Sequence, residues 1–145
     1  MIKNLFRKGR EQSVDSGTPA TGETKGRILV VDDSPTEIVV FKKILEKQGY
    51  QILVAKDGQE GVEMAKQELP DLILMDVVMP VLNGFQATRQ LKNHEPTSKI
   101  PVIMVTTKDQ QTDINWGMRQ GATEYMVKPV APAELLNKIK ALIHA

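Results

Sequence analysis

The apolar residues of this chain fall into short unbroken runs, separated by longer stretches in which they recur every three or four positions. Ile28-Leu-Val-Val31, Leu72-Ile-Leu-Met75 and Val102-Ile-Met-Val105 are the clearest runs. Four β-prone apolar residues without alternation read as a strand buried on both faces, the habit of a parallel sheet covered by helices. Each run stops on a polar residue: Asp32-Asp33, Asp76 and Thr106. Those side chains therefore sit where buried strands surface.

The stretches between the runs read as helices with recognisable ends. Ser34-Pro35-Thr36-Glu37 places an N-cap serine, a proline at the first helical position and a glutamate spaced to close a capping box. The helix that follows carries Ile38, Phe41, Ile44 and Leu45 on one face and stops at Gly49. Gln51 to Ala55 is a second strand, and Asp57-Gly58 opens a helix with Val62, Met64 and Ala65 that Pro70 closes. Asn83-Gly84 starts a third helix through Phe85, Ala87 and Leu91. A fourth strand is predicted over 100–105, a helix over 112–119 ended by Gly121, and a short strand over 124–127. Pro132 opens a last helix whose apolar face is Leu135, Leu136, Ile139, Leu142 and Ile143. Five strand-helix repeats predict an α/β fold: a doubly wound, five-stranded parallel sheet, (βα)5, for which the common strand order is 2-1-3-4-5.

In such a sheet ligands bind outside the carboxyl ends of the strands, where the strand order reverses. The order 2-1-3-4-5 sets the first strand beside the third and brings Asp32 and Asp33 next to Asp76. Three carboxylates in one crevice repel one another, and a hard divalent cation relieves the repulsion. Mg²⁺ suits such a site, being held by one or two carboxylates together with phosphate oxygens and water. Lys128 adds a positive charge at the end of the fifth strand and Thr106 a hydroxyl at the end of the fourth. Phosphoryl transfer asks for positioning and charge neutralisation, and a carboxylate can itself be the nucleophile. Asp76 is the natural nucleophile because it stands alone at the tip of the central strand, whereas Asp32 and Asp33 are paired as metal ligands would be.

Composition narrows the class without naming a function. A chain of 145 residues, 41% of them hydrophobic, fits one domain with one core. It has no Cys, hence no disulfide framework and no thiolate metal site, which fits a reducing compartment. A net charge of +1 argues against nucleic-acid binding, and no apolar stretch approaches the ~20 residues of a membrane span. The opening residues Met1 to Arg10 lack the apolar core of a secretory signal, so the expected location is cytoplasmic. Residues 11–26 are rich in Ser, Thr, Gly, Glu and Gln and cannot repay the entropy of ordering. We read 1–26 as a flexible leader and 27–145 as the folded domain. Within the leader, Ile2, Leu5 and Phe6 alternate with Lys3, Arg7, Lys8 and Arg10; a solvated end is favoured over a docking or membrane-surface peptide.

From about Arg27 to His144 the chain resembles the receiver domains of two-component response regulators. The resemblance rests on Val30-Val-Asp-Asp-Ser-Pro35, Leu74-Met-Asp-Val-Val-Met-Pro80, Asn83-Gly84, Val105-Thr-Thr107 and Tyr125-Met-Val-Lys-Pro129, in order and at family spacing. It implies the flavodoxin-like receiver fold, Asp76 as phosphoacceptor, and Mg²⁺ or Mn²⁺ held by Asp32, Asp33, Asp76 and the Val78 backbone carbonyl. It also implies that Lys128 contacts the phosphoryl group, that Thr106 moves to bond it, and that Tyr125 switches rotamer on the face formed by the fourth helix, fifth strand and fifth helix. The Lys128–Pro129 bond is cis in the family. Asp32 to Glu37, Asn83 to Gln90, Thr106 to Asp109 and Trp116-Gly117 are similar, within the family, to twitching-motility regulators of type IV pilus chemosensory systems. The implied partners are a chemosensory histidine kinase and a downstream motility protein. The implied assembly is a monomer or a weak dimer that forms on phosphorylation. Two positions depart from the common pattern: apolar Val78 two residues after Asp76, and bulky Thr107 beside Thr106. Neither orients an attacking water, so slow loss of the phosphoryl group is expected.

Plainer readings stand beside these. Asp32 or Asp33 alone is as readily an N-cap, Thr106 a capping hydroxyl and Lys128 a solvated charge; their joint order removes most of that ambiguity. Trp116, the sole Trp, reads first as a packing residue and second as a partner contact. Met75, Met79, Met104, Met118 and Met126 read as core filler, and His94 and His144 as surface residues. No output domain is expected after Ala145, so the message passes to a separate protein, or phosphoryl groups are drawn off a companion regulator. The chain is expected to be no enzyme beyond its own phosphorylation and slow dephosphorylation. The rival readings are a Mg²⁺-dependent phosphohydrolase with an aspartyl-phosphate intermediate, whose usual Asp-x-Asp-x-Thr motif is absent, a chemotaxis-type regulator of another output, and an interaction module that is never phosphorylated.

Overall fold

Five parallel strands form one sheet in the order β2-β1-β3-β4-β5. They are β1 (Arg27–Val31), β2 (Gln51–Ala55), β3 (Leu72–Met75), β4 (Val102–Thr106) and β5 (Glu124–Val127). The helices are α1 (Pro35–Lys47), α2 (Gly58–Glu68), α3 (Gly84–Lys92), α4 (Gln111–Gln120) and α5 (Pro132–Leu142). The computed structural model describes residues 24–143. The leader read over 1–26, apart from its last three residues, and the end of the domain read over 27–145, His144 and Ala145, lie outside the described residues. Lys25 and Gly26 are tied to the sheet: the Lys25 N–H donates to Gly49 O and Gly26 O accepts from Gln51 N–H.

The alternation of side chains along each strand feeds two separate cores. Ile28, Val30, Leu72, Leu74, Ile103 and Val105 point to the side covered by α1 and α5, where they meet Phe41, Leu45, Leu135 and Ile139. Leu29, Val31, Ile73, Met75 and Val102 point to the other side and pack with Val62, Ala65, Ala87 and Leu91 of α2 and α3. Strands β1, β3 and β4 are buried almost throughout, whereas β2 and β5 are partly exposed because they are the sheet edges.

Local chemistry sets the helix ends. Ser34 Oγ accepts the Glu37 N–H at 3.3 Å, but the expected capping box closes on one side only. The Ser34 N–H instead donates to Asp32 Oδ1 at 2.9 Å, and Glu37 turns toward Lys128. Asp57 caps α2 through Glu60 N–H, and α3 has the full reciprocal box between Asn83 and Gln86. Gly84 is required there: a Cβ would overlap the Asp76 carbonyl oxygen, so α3 is seated directly on the backbone that carries Asp76. The helices α1 and α4 end on left-handed glycines, Gly49 at φ 97° and Gly121 at φ 110°.

Three expectations are corrected. Strand β4 runs over Val102–Thr106 rather than 100–105: Lys92 Nζ takes the Ile100 carbonyl at 2.6 Å, and Pro101 has no N–H to give. A short 3-10 turn, Glu95–Thr97, fills the connection before it. Met118 is not core filler and Trp116 is not a packing residue, because both stand nearly half exposed on α4. Met75 and Met104 are fully buried, as expected.

Candidate functional site

The site is built where β1, β3, β4 and β5 end. Because β1 pairs with β3 in register from Ile28↔Leu72 to Val31↔Met75, the residues that follow, Asp32 and Asp76, emerge side by side. Asp32 is 2% exposed and Asp76 is 8% exposed, while Asp33 is open to solvent. One carboxylate oxygen from each of the three lies within 4.8 Å of the other two. An exclusively oxygen donor set, partly buried with one open side, fits a hard divalent cation.

Backbone groups orient the two buried acids. Asp32 Oδ1 accepts the Ser34 N–H at 2.9 Å. Asp76 Oδ1 accepts the Val77 N–H at 2.7 Å and has the Val78 N–H at 3.4 Å, which leaves Oδ2 facing the pocket. Lys128 Nζ stands 2.8 Å from Asp32 Oδ2, 3.3 Å from Asp76 Oδ2 and 3.9 Å from Glu37 Oε1. Burial alone pulls the Lys128 pKa down. The hydrogen bond to Asp32 and the charges of Asp76, Asp32 and Glu37 together outweigh it and leave the pKa raised. The ammonium thus bridges two carboxylates that would otherwise repel.

Thr106 is fully buried at the end of β4, and its carbonyl accepts the Lys128 N–H at 2.8 Å. Its hydroxyl accepts the Lys108 N–H at 3.3 Å, and among the described residues no hydrogen bond joins it to Asp76. Tyr125 Oη donates to the Lys108 carbonyl at 2.7 Å. Burial pushes the Tyr125 phenol up to about 12, aided by the negative charges of Asp113, Asp76 and Asp109. Thr106 and Tyr125 are therefore linked through the two peptide groups of one residue. The Lys128–Pro129 bond is cis. Val78 is 54% exposed at the pocket rim.

Every residue read as a site candidate from the sequence reaches this end of the sheet or its flank. Two participants escaped that reading. Glu37 gave a signal, since it lies one turn into the helix that starts at the pocket; Lys108 contributes only backbone groups and gave none.

A family model described as the response regulator receiver domain matches residues 28–140. The chain belongs to that family. Protein PilH of Pseudomonas aeruginosa is 59% identical to this receiver over 117 residues, which cover 81% of this chain and 97% of PilH. The alkaline phosphatase synthesis transcriptional regulatory protein PhoP of Bacillus subtilis is 38% identical over 117 residues, and the chain spans 48% of its length. Among solved structures, the receiver domain of the sensor histidine kinase PA1611 of Pseudomonas aeruginosa superposes with a TM-score of 0.77 at 32% identity. The match covers 83% of this chain and 98% of that one, and that structure has a magnesium ion coordinated in its active site cleft. The Vibrio cholerae chemotaxis protein CheY4 matches with a TM-score of 0.75 at 31% identity, over 80% of this chain and 97% of its own. No described helix is long and apolar enough to cross a membrane.

Proposed function

We propose that this receiver accepts a phosphoryl group on Asp76 from a histidine kinase of a chemosensory system and controls type IV pilus twitching motility. The observation that carries the reading is the meeting of three carboxylates within 4.8 Å, two of them bridged by the partly buried Lys128. Asp32, Asp33 and Asp76, with the Val78 carbonyl, would hold Mg²⁺ or Mn²⁺, and the magnesium in the PA1611 receiver supports this. When bound, the ion neutralises charge on the phosphoryl oxygens. An Asp76 carboxylate oxygen forms the new O–P bond as the P–N bond to the donor histidine breaks, and the electron pair leaves with the imidazole nitrogen. Lys128 then trades its Asp76 contact for a phosphoryl oxygen. The Thr106 hydroxyl turns from the Lys108 N–H to the phosphoryl group, and Tyr125 leaves the Lys108 carbonyl. The α4-β5-α5 face that results is read by a separate motility protein or by a second copy of the chain; similarity to PilH supports the motility output. Residues 27–145 act as the receiver and 1–26 as a leader to it.

Beryllofluoride, a mimic of the aspartyl-phosphate, tests the site. With Mg²⁺ it should shift the amide resonances of Thr106, Lys108 and Tyr125 in the wild type and leave Asp76→Asn unchanged. An equal response in both proteins overturns the assignment to Asp76. Sustained turnover of phosphate esters would point to a phosphohydrolase instead.

A further inference from the structure

A groove of about 580 Å³ runs along α5 beside the first residue of β5, away from the acidic pocket. Its walls include Ala131, Ala141 and Leu142, with Glu124, Glu134 and Asn137 at the rim. The surface is mainly apolar with carboxylates at its margin, on the edge strand of the sheet. Lys138 pairs with Glu124 at 3.1 Å and neutralises one of the two acids, which leaves exposed Glu134 as the dominant charge.

The far end of this groove lies where the chain enters the fold. Gly26 packs against Ile143, the residue after Leu142; a Cβ on Gly26 would stand 3.3 Å from Ile143 Cγ2. Gly26, two residues into the described part of the chain, thus lies beside the C-terminal end of α5. Its first ten residues hold Ile2, Leu5 and Phe6 among Lys3, Arg7, Lys8 and Arg10, with no acid. Residues 11–23 join them to the fold and are rich in Ser, Thr and Gly. Thirteen residues of Gly/Ser-rich chain span about 20 Å on average. The groove, from Glu134 to Leu142, is about 12 Å long at the helical rise. Reach, apolar content and sign of charge all match.

We propose that residues 1–10 dock into the α5 groove of their own chain, Leu5 and Phe6 covering Ala131, Ala141 and Leu142 while the basic residues face Glu134. Docked there, the segment covers α5 beside the strand that carries Tyr125, so it competes with any partner approaching the α4-β5-α5 face. Docking does not depend on phosphorylation of Asp76 and stands or falls separately from it.

The full chain has no Cys, so Asn4→Cys offers a single site for a nitroxide label. In the labelled protein the amide signals of Glu134, Asn137 and Ala141 should lose most of their intensity. Adding Leu5→Ser and Phe6→Ser, which lie outside the described fold, should restore them. Broadening confined to amides next to residue 24, or centred on α1, overturns the proposal. Broadening passed to an unlabelled copy in a mixed sample overturns it in favour of a second chain. Broadening absent in buffer, with the segment held on anionic phospholipid vesicles, overturns it in favour of a membrane surface.

Discussion

Lys128 decides whether three carboxylates can share one pocket. Its ammonium is nearly buried yet touches Asp32 and Asp76, and removing one partner of a buried pair costs about 3–5 kcal/mol because it strands the other charge. Since its folded pKa is raised, its contribution to stability is complete below the ordinary lysine value of about 10.4 and fades as pH climbs through the folded value. Tyr125 behaves alike in sign. Held up to about 12 by burial first and by nearby carboxylates second, it retains its proton in the folded state over roughly pH 10–12. Stability from this phenol is full below that window and lost across it. Spectrophotometric titration should find Tyr125 ionising near 12 while the protein is folded; ionisation near 10 in the native state would contradict the environment described. At the pocket rim, Val78 offers no hydrogen bond to an attacking water. Once phosphorylated on Asp76, the protein should keep its label for minutes or longer, and Val78→Asn should speed its loss about tenfold, the worth of one hydrogen bond of ~1.4 kcal/mol. Decay of the wild type within seconds would contradict this. The acids, Thr106 and Lys128 were legible because each ends an apolar run. Lys108 was not, since it acts through its peptide N–H and carbonyl, and backbone groups leave no mark in a side-chain pattern.

Element boundaries followed the punctuation of the chain wherever one residue had one task. Asp57 and Asn83 open the helices they were expected to open, each as the N-cap, and Gly49 and Gly121 end theirs. The reading slipped where a residue had a competing partner. Asp32 takes the Ser34 N–H that Glu37 would have satisfied, and Lys92 takes the carbonyl of Ile100 that a longer β4 would have used. Gly84 shows how function reaches into an element. It was read as a helix start, yet its larger task is to let α3 press on the Asp76 backbone. Gly84→Ala should therefore cost about 1–3 kcal/mol through overpacking and lower Tm by several degrees. It should also slow phosphorylation, because Asp76 moves with the displaced backbone. An unchanged Tm and an unchanged rate would refute the close approach.

For the molecule as a whole, the topology followed from five strand-helix repeats and the strong preference of such sheets for one winding. Its outer surface did not follow. Trp116 and Met118 obey helical spacing as well as core residues do, and only the placement of α4 over the short apolar cluster of Val77, Met104 and Ala122 leaves them outside. An exposed aromatic carries little folding energy, so Trp116→Ala should change stability by less than ~0.5 kcal/mol. The same variant should weaken capture of the phosphorylated protein by the motility partner proposed for it; lost stability with intact capture would return Trp116 to the core. The carboxylate cluster, the bridging lysine and the buried threonine meet at one end of this sheet, and the function proposed for them rests on covalent modification of Asp76. Intact-mass measurement after incubation with acetyl phosphate and Mg²⁺ tests that most directly. The wild type should gain the mass of one phosphoryl group, and should gain none without Mg²⁺ or as Asp76→Asn. A wild type that gains nothing, or an Asp76→Asn protein that gains the same mass, would contradict it.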